Sequence, residues 1–177
     1  YISVVLQTLA GAGPVFVALM LSVTGIGFTI GSVISGKLAI NWSIDKALVL
    51  LFSLAALSMF FYPLIASSYI GAAVITLIWG ITGYAPSPLL QTKIVSAAKD
   101  APALASSVNI GIFNLGNAVG AVIGGAVITA GFGYEWIAPA GGVVAALGAL
   151  SALIPMLSTK YVLSSSKNLM NSFKKNS

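Results

Sequence analysis

The chain has 177 residues, of which 58% are hydrophobic and 6% charged; eight lysines stand against three acidic residues, for a net charge of +5. A soluble domain carries about 25% charge, so this composition excludes a cytoplasmic enzyme, a nucleic-acid module and a disordered tail. With a mean hydropathy of +1.04, lipid is the solvent expected for most of the chain. Cysteine and histidine are both absent, which removes disulfides, thiolate chemistry, the usual general base and the commonest metal ligand. No metal site, cofactor or nucleic-acid partner is expected, and the positive charge reads as the lysine bias of cytoplasmic loops.

Tyr1 lies inside an apolar run, residues 1–9, that is too short to cross a bilayer and reads as the end of a span begun earlier. Five longer uncharged runs follow, at about 14–36, 47–65, 69–90, 103–130 and 136–157. Each meets the roughly 20 residues that a helix needs to span hydrocarbon. None alternates apolar and polar residues as barrel strands do. The connections at 10–13, 66–68 and 131–135 fall on one side of the membrane, and those at 37–46 and 91–102 and the tail from 158 on the other. All eight lysines (Lys37, Lys46, Lys93, Lys99, Lys160, Lys167, Lys174, Lys175) sit on the second side, which makes that side the cytoplasm. The tail spaces its lysines with Leu169, Met170 and Phe173. It is either a short basic helix on anionic headgroups, held by about 1 kcal/mol per lysine, or a disordered polar segment.

The first full span carries Thr24, Gly25, Gly27, Gly31, Ser32, Ser35 and Gly36. Gly27 and Gly31 are four apart, the spacing that lets two helix backbones approach closely. Gly25-Ile26-Gly27 is not a dinucleotide loop, because no strand precedes it and the next glycine falls at Gly31. The second span has Ser53 and Ser58 and no glycine, the pattern of a peripheral helix facing lipid. The third holds Trp79, Gly80, Gly83, Tyr84, Pro86 and Pro88, then Gln91. Pro86 and Pro88 each remove a backbone donor and must bend or break the helix. The kink either shapes a gate or cavity wall, or serves packing alone.

In the fourth span, ALASSVNIGIFNLGNAVGAVIGGAVITA at 103–130, helical geometry gathers Ser106, Asn109, Gly116, Asn117, Gly120 and Gly124 on one side. Val108, Ile112, Leu115, Val119 and Val122 take the opposite side. The aliphatic side suits lipid; amides in hydrocarbon are costly, so the other must meet protein or water. Gly116, Gly120 and Gly124 are expected to pack against another helix. Asn109, Asn114 and Asn117 either hydrogen-bond across helices or line a solute path. The fifth span is aliphatic, with Gly141, Gly142 and Gly148 for packing. No span contains a charge, and Asp45, Asp100 and Glu135 are expected as solvated residues of the connections.

Three stretches resemble the C-terminal half of a major facilitator superfamily transporter, nearest the drug:proton antiporter group with its sugar and arabinose efflux permease-like members. GSVISGKLA from Gly31 with NWSIDKAL from Asn41 is similar to the turn between helices eight and nine. WGITGYAPSPLLQ from Trp79 is similar to helix ten and its exit. The third stretch, from Ala101, carries an Asn-x-x-x-Phe-Asn-Leu-Gly string at Asn109, Phe113, Asn114, Leu115 and Gly116, similar to helix eleven. One departure is that Gly36-Lys37-Leu38-Ala39 is followed by Ile40-Asn41 in place of an Asp-Arg pair, so no gate ion pair is assigned to Lys37.

The resemblance implies an all-α membrane protein: helices seven (in part) to twelve of a twelve-helix fold. Residues 1–157 would form the six-helix half and 158–177 a basic cytoplasmic tail. It implies that helices seven, eight, ten and eleven line a central cavity and that nine and twelve stand outside. It implies no enzyme but a carrier of the bacterial inner membrane, multi-pass with a cytoplasmic C-terminus. That carrier would export a small organic solute, such as a sugar or drug, against inward proton flow by alternating access about a midplane site. Its partners would be the solute, protons, the bilayer and the N-terminal half of the same transporter. Gln7, Thr24, Trp79, Tyr84, Asn109, Phe113 and Asn117 are the expected cavity residues: aromatic faces to stack and amides to bond hydroxyls. The alternatives are a homo-oligomeric channel or pore built from this chain alone, and a non-transporting remnant of a truncated gene. An intramembrane enzyme lacks an acid, base or nucleophile pair.

Overall fold

The computed structural model describes the backbone of residues 1–175 and the side chains of residues 1–157. The side chains of Lys160, Lys167, Lys174 and Lys175, on which the reading of the tail rests, lie outside the described residues. Among the described residues the chain is helical throughout, without strands: α1 (Ile2–Ala10), α2 (Pro14–Asn41), α3 (Ile44–Ile65), α4 (Tyr69–Tyr84), α5 (Pro86–Ala97), α6 (Pro102–Thr129), a short 3-10 turn (Tyr134–Trp136) and α7 (Ile137–Lys175). Five stretches are long and apolar enough to cross a membrane, with α4 and α5 counting as one.

Local chemistry sets the ends. Gly11 closes α1 in the left-handed region at φ 61°, returning its N–H to the Leu6 carbonyl, a conformation that glycine adopts without a Cβ clash. Pro14 and Pro102 open α2 and α6, where a missing donor costs nothing. Ser68 caps α4 by accepting the Gly71 N–H at 3.1 Å.

The helices outrun the uncharged runs that predict them. At 28 residues, α2 and α6 are each about 42 Å long, against a hydrocarbon core of about 30 Å. The expected connections at 37–46 and 91–102 therefore shrink to residues 42–43 and 98–101. Lys37, Asp45, Lys46 and Lys93 belong to helix ends, not loops. Asp45 sits in the first turn of α3, where the helix dipole favours a negative charge. It is ion-paired with Lys93 of α5, not left to solvent as expected.

Two packing seams organise the bundle. Along α2 and α4, a Cβ added at Gly27 would lie 3.0 Å from the Gly80 Cα, and one at Gly31 would lie 2.5 Å from the Ile81 carbonyl oxygen. The backbones touch there, and only glycine permits it. Along α3 and α7, Gly142 faces the Ala56 carbonyl and Gly148 the Phe52 ring. The glycine-free α3 turns one face inward, burying Leu48, Leu51, Ala55, Ala56 and Tyr62, and leaves Leu50, Leu54, Leu57, Phe61 and Leu64 exposed on the other. Because lipid is as apolar as these side chains, close contact and hydrogen bonds rather than hydrophobic transfer hold such a bundle. The polar ties are specific. The Tyr62 and Thr76 hydroxyls pair at 2.8 Å, and Ser58 meets Thr82 at 3.4 Å. Ser35 is fully buried, and its hydroxyl has no hydrogen-bond partner among the described residues.

The fourth span departs furthest from expectation. Only Gly124 of α6 is buried, and every residue from 111 to 120 is exposed. A Cβ at Gly116 or Gly120 would meet nothing within 4 Å, so the packing expected of these two is not made among the described residues. Gly124 does pack, against the ring of Tyr1, whose hydroxyl donates to the Ala121 carbonyl at 3.0 Å.

Candidate functional site

Pro86 and Pro88 carry no N–H, so the carbonyls one turn before them receive no helical bond. The span breaks there: α4 stops at Tyr84, Ala85 bridges in helical conformation with its N–H on the Ile81 carbonyl, and α5 starts at Pro86. Membrane helices sustain such a break where protein or water meets the freed groups. The break lets α5 face the first turns of α6. Gln91 of α5 donates its amide N–H to the Ser106 hydroxyl at 2.6 Å, and its carbonyl accepts from the Asn109 amide.

A cleft of about 320 Å³ opens beside this cluster, lined by Tyr84, Ser87, Pro88, Gln91, Asn109, Ile110 and Phe113. Phe28 of α2 stacks on Tyr84, with centroids 4.8 Å apart and planes within 19°, and also approaches Trp79 at 6.4 Å. The Tyr84 ring is thereby braced by Phe28. Asn109 lies seven residues into α6, about 10 Å from its lysine-side end at 1.5 Å per residue. No charged residue lines the cleft; the nearby Lys93 is held by Asp45. Flat aromatic surface beside a few fixed amides and hydroxyls can bind a neutral organic molecule in a set orientation.

Of the expected cavity residues, Tyr84, Asn109 and Phe113 share this cleft. Trp79 lines a different one, an apolar cavity of about 250 Å³ with Tyr1, Met59, Tyr62 and Ile137 among its walls. Thr24 lines neither of these two spaces. It is buried in the α2–α4 seam, where the Thr24 backbone carbonyl approaches Gly80 and the hydroxyl bonds the Met20 carbonyl at 2.9 Å. Gln7 and Asn117 are exposed and line neither space. Gln91, Ser87 and Phe28 are the site residues that sequence reasoning missed. Gln91 carried a signal, as an isolated amide at the end of an apolar span; its partner lies across a connection, where helical periodicity has no reach.

No protein-family model matches the chain. It is 46% identical over 153 residues to the inner membrane transport protein YdhP of Escherichia coli strain K12, a match covering 85% of this chain and 38% of that protein. It is 29% identical over 160 residues to the uncharacterized MFS-type transporter YfhI of Bacillus subtilis strain 168, covering 90% of this chain and 40% of that protein. The chain therefore spans about two fifths of the length of the curated relatives it matches. With its all-helical fold and five membrane-length helices, the chain is consistent with the C-terminal half of a major facilitator superfamily transporter, the family that the name of YfhI gives.

Proposed function

We propose that this chain acts as one half of a secondary active transporter that exports a small organic solute, such as a sugar or drug, against inward proton flow. The observation that carries the reading is the cleft, where Tyr84, Asn109 and Phe113 meet beside a helix whose residues 111–120 are all exposed. Residues 1–157 form the working half, and the segment from 158 is a cytoplasmic tail. In this reading α1, α2, the α4–α5 pair and α6 are helices seven, eight, ten and eleven, and they face an N-terminal half across the solute path. Rocking of the two halves gives alternating access to the site. The cleft has stacking faces and amides but no titratable acid, so the proton-carrying group belongs to the partner half. The bilayer is that of the bacterial inner membrane, with the lysine-bearing ends in the cytoplasm.

The test is efflux from cells expressing the intact carrier that contains this segment, screened with a panel of neutral sugars and aromatic drugs. Asn109→Ala and Phe113→Ala are expected to lower transport at least tenfold with normal membrane abundance. Unchanged transport in both would remove the cleft from the path. Uptake or conductance that persists in this chain alone, in liposomes, would favour a pore over a carrier half.

A further inference from the structure

We propose that Gln91 is the positioning residue of the cleft: a two-ended clasp that ties α5 to α6 and holds the Asn109 amide in place with one of its ends turned to the cleft. The proposal rests on the reading of that cleft as a solute site. Both polar ends of Gln91 are committed, one to Ser106 and the other to Asn109, so the side chain has little hydrogen-bonding capacity left for a ligand. It sits in the cleft wall and works on a ligand through its neighbour. Asn109, by contrast, spends one amide hydrogen on Gln91 and keeps its carbonyl and second hydrogen. Rotating both amides together exchanges donor and acceptor ends without releasing the pair, so one end of Asn109 always remains for the cleft.

The position of α6 explains why a clasp is needed there. From 111 to 120 the helix is exposed all round, and its only buried residue is Gly124. Along its length it has side-chain hydrogen bonds to other helices at two levels only among the described residues. One is Gln91 with Ser106 and Asn109; the other is Tyr1 on the Ala121 carbonyl. The side chains between them, from 111 to 120, are all exposed, so within the described residues no interlocking side chains fix the rotation of α6 at the cleft. Hydrogen bonds in low dielectric are directional and strengthened, and they set that rotation in place of packing. Gln91 also lies just beyond the proline break, so the clasp joins α6 to the short helix that Pro86 and Pro88 separate from α4.

The test uses the full chain in lipid nanodiscs, with spin labels on cysteines introduced at the exposed Leu54 of α3 and Val119 of α6; native cysteines are absent. The unsubstituted pair is expected to give one narrow distance distribution. Gln91→Leu keeps volume and removes both bonds, and should broaden the distribution and shift its centre. Gln91→Glu should restore the narrow one. Its carboxylate accepts from Ser106 and Asn109, and its neutral acid accepts from one and donates to Ser106. An unchanged distribution in Gln91→Leu, or equal broadening in Gln91→Glu, overturns the proposal. Should Gln91→Leu fail to insert, the pair Ser106→Ala with Asn109→Ala removes the same bonds and carries the same expectation. Because the distances are read without any solute, a failed clasp and a failed transport reading give separate results.

Discussion

Replacing Gly31 by Ala puts a methyl group 2.5 Å from the Ile81 carbonyl oxygen and 3.3 Å from its carbon. Ordinary contact begins near 3.4 Å, so α2 and α4 must part locally by about 0.9 Å. The obstructing atom is backbone in the middle of a helix and cannot rotate away. Overfilling of this kind costs about 1–3 kcal/mol. A gap of 0.5–1 Å also forfeits roughly a quarter to a half of each dispersion well along the seam. Against this stands a gain of about 1 kcal/mol from the better helix propensity of Ala. The net expectation is a loss of about 1 kcal/mol, with an unfolding midpoint lower by about 2–4 °C for a chain of this size. Gly120→Ala is the control: nothing lies within 4 Å of its Cβ, so only the propensity gain remains and the midpoint should hold or rise. Thermal melts of the two variants in one detergent, followed by circular dichroism, check the difference. Equal shifts, or a greater loss in Gly120→Ala, would refute the argument that close approach, rather than glycine content, stabilises this bundle.

Tyr62→Phe should cost about 1 kcal/mol by removing the buried Tyr62–Thr76 bond, while Tyr62→Phe with Thr76→Val should cost less than the sum of the two single changes; a thermodynamic cycle in detergent checks this. Asp45→Asn and Lys93→Met should each cost no more than about 1 kcal/mol, with the coupling fading in high salt, because the pair is partly exposed. A cysteine placed at the exposed Ser67 should react with a membrane-impermeant maleimide on intact bacteria, and one at the exposed Ser43 only after lysis. The reverse pattern would invert the orientation drawn from the lysines.

The spans were legible because hydrocarbon imposes a length and a composition that few other environments tolerate. The ends were less so. Charge marks where the hydrocarbon stops, whereas a helix such as α2 continues through the interface past Lys37 to Asn41. Gly27-x-x-x-Gly31 and Gly116-x-x-x-Gly120 are the same text with different surroundings: the first meets the backbone of α4, the second open space. A small-residue pattern states that a helix can be approached, not what approaches it. Thr24 shows the same ambiguity in polar form. Its hydroxyl is satisfied by the Met20 carbonyl of its own helix, and nothing in spacing separates a back-bonded threonine from one that faces a solute. The pairs Gln91–Asn109 and Asp45–Lys93 join different helices, so no single helical wheel contains both partners.

The distribution of spent and unspent hydrogen-bonding capacity sorts the helices more clearly than polarity does. In the α2–α3–α4 group, Thr24, Ser58, Tyr62, Thr76 and Thr82 are buried and bonded to one another or to nearby carbonyls. These five hydroxyls act as internal ties, and Ser35 is the buried hydroxyl of α2 that makes no bond to a described residue. On α6, Asn109 is half committed, while Asn114 and Asn117 are exposed and make no side-chain hydrogen bond to a described residue. An amide left unbonded in hydrocarbon costs several kcal/mol, far more than any surface preference would repay. Lipid is therefore the wrong solvent for the side of α6 that bears Asn117, although it suits Val119 and Val122 on the other. Water or protein must cover the amide side in the membrane. This is the physical reason for proposing that it faces the solute path and the partner half, and for expecting the short Asn109 cluster, not the buried hydroxyls, to govern what the cleft accepts.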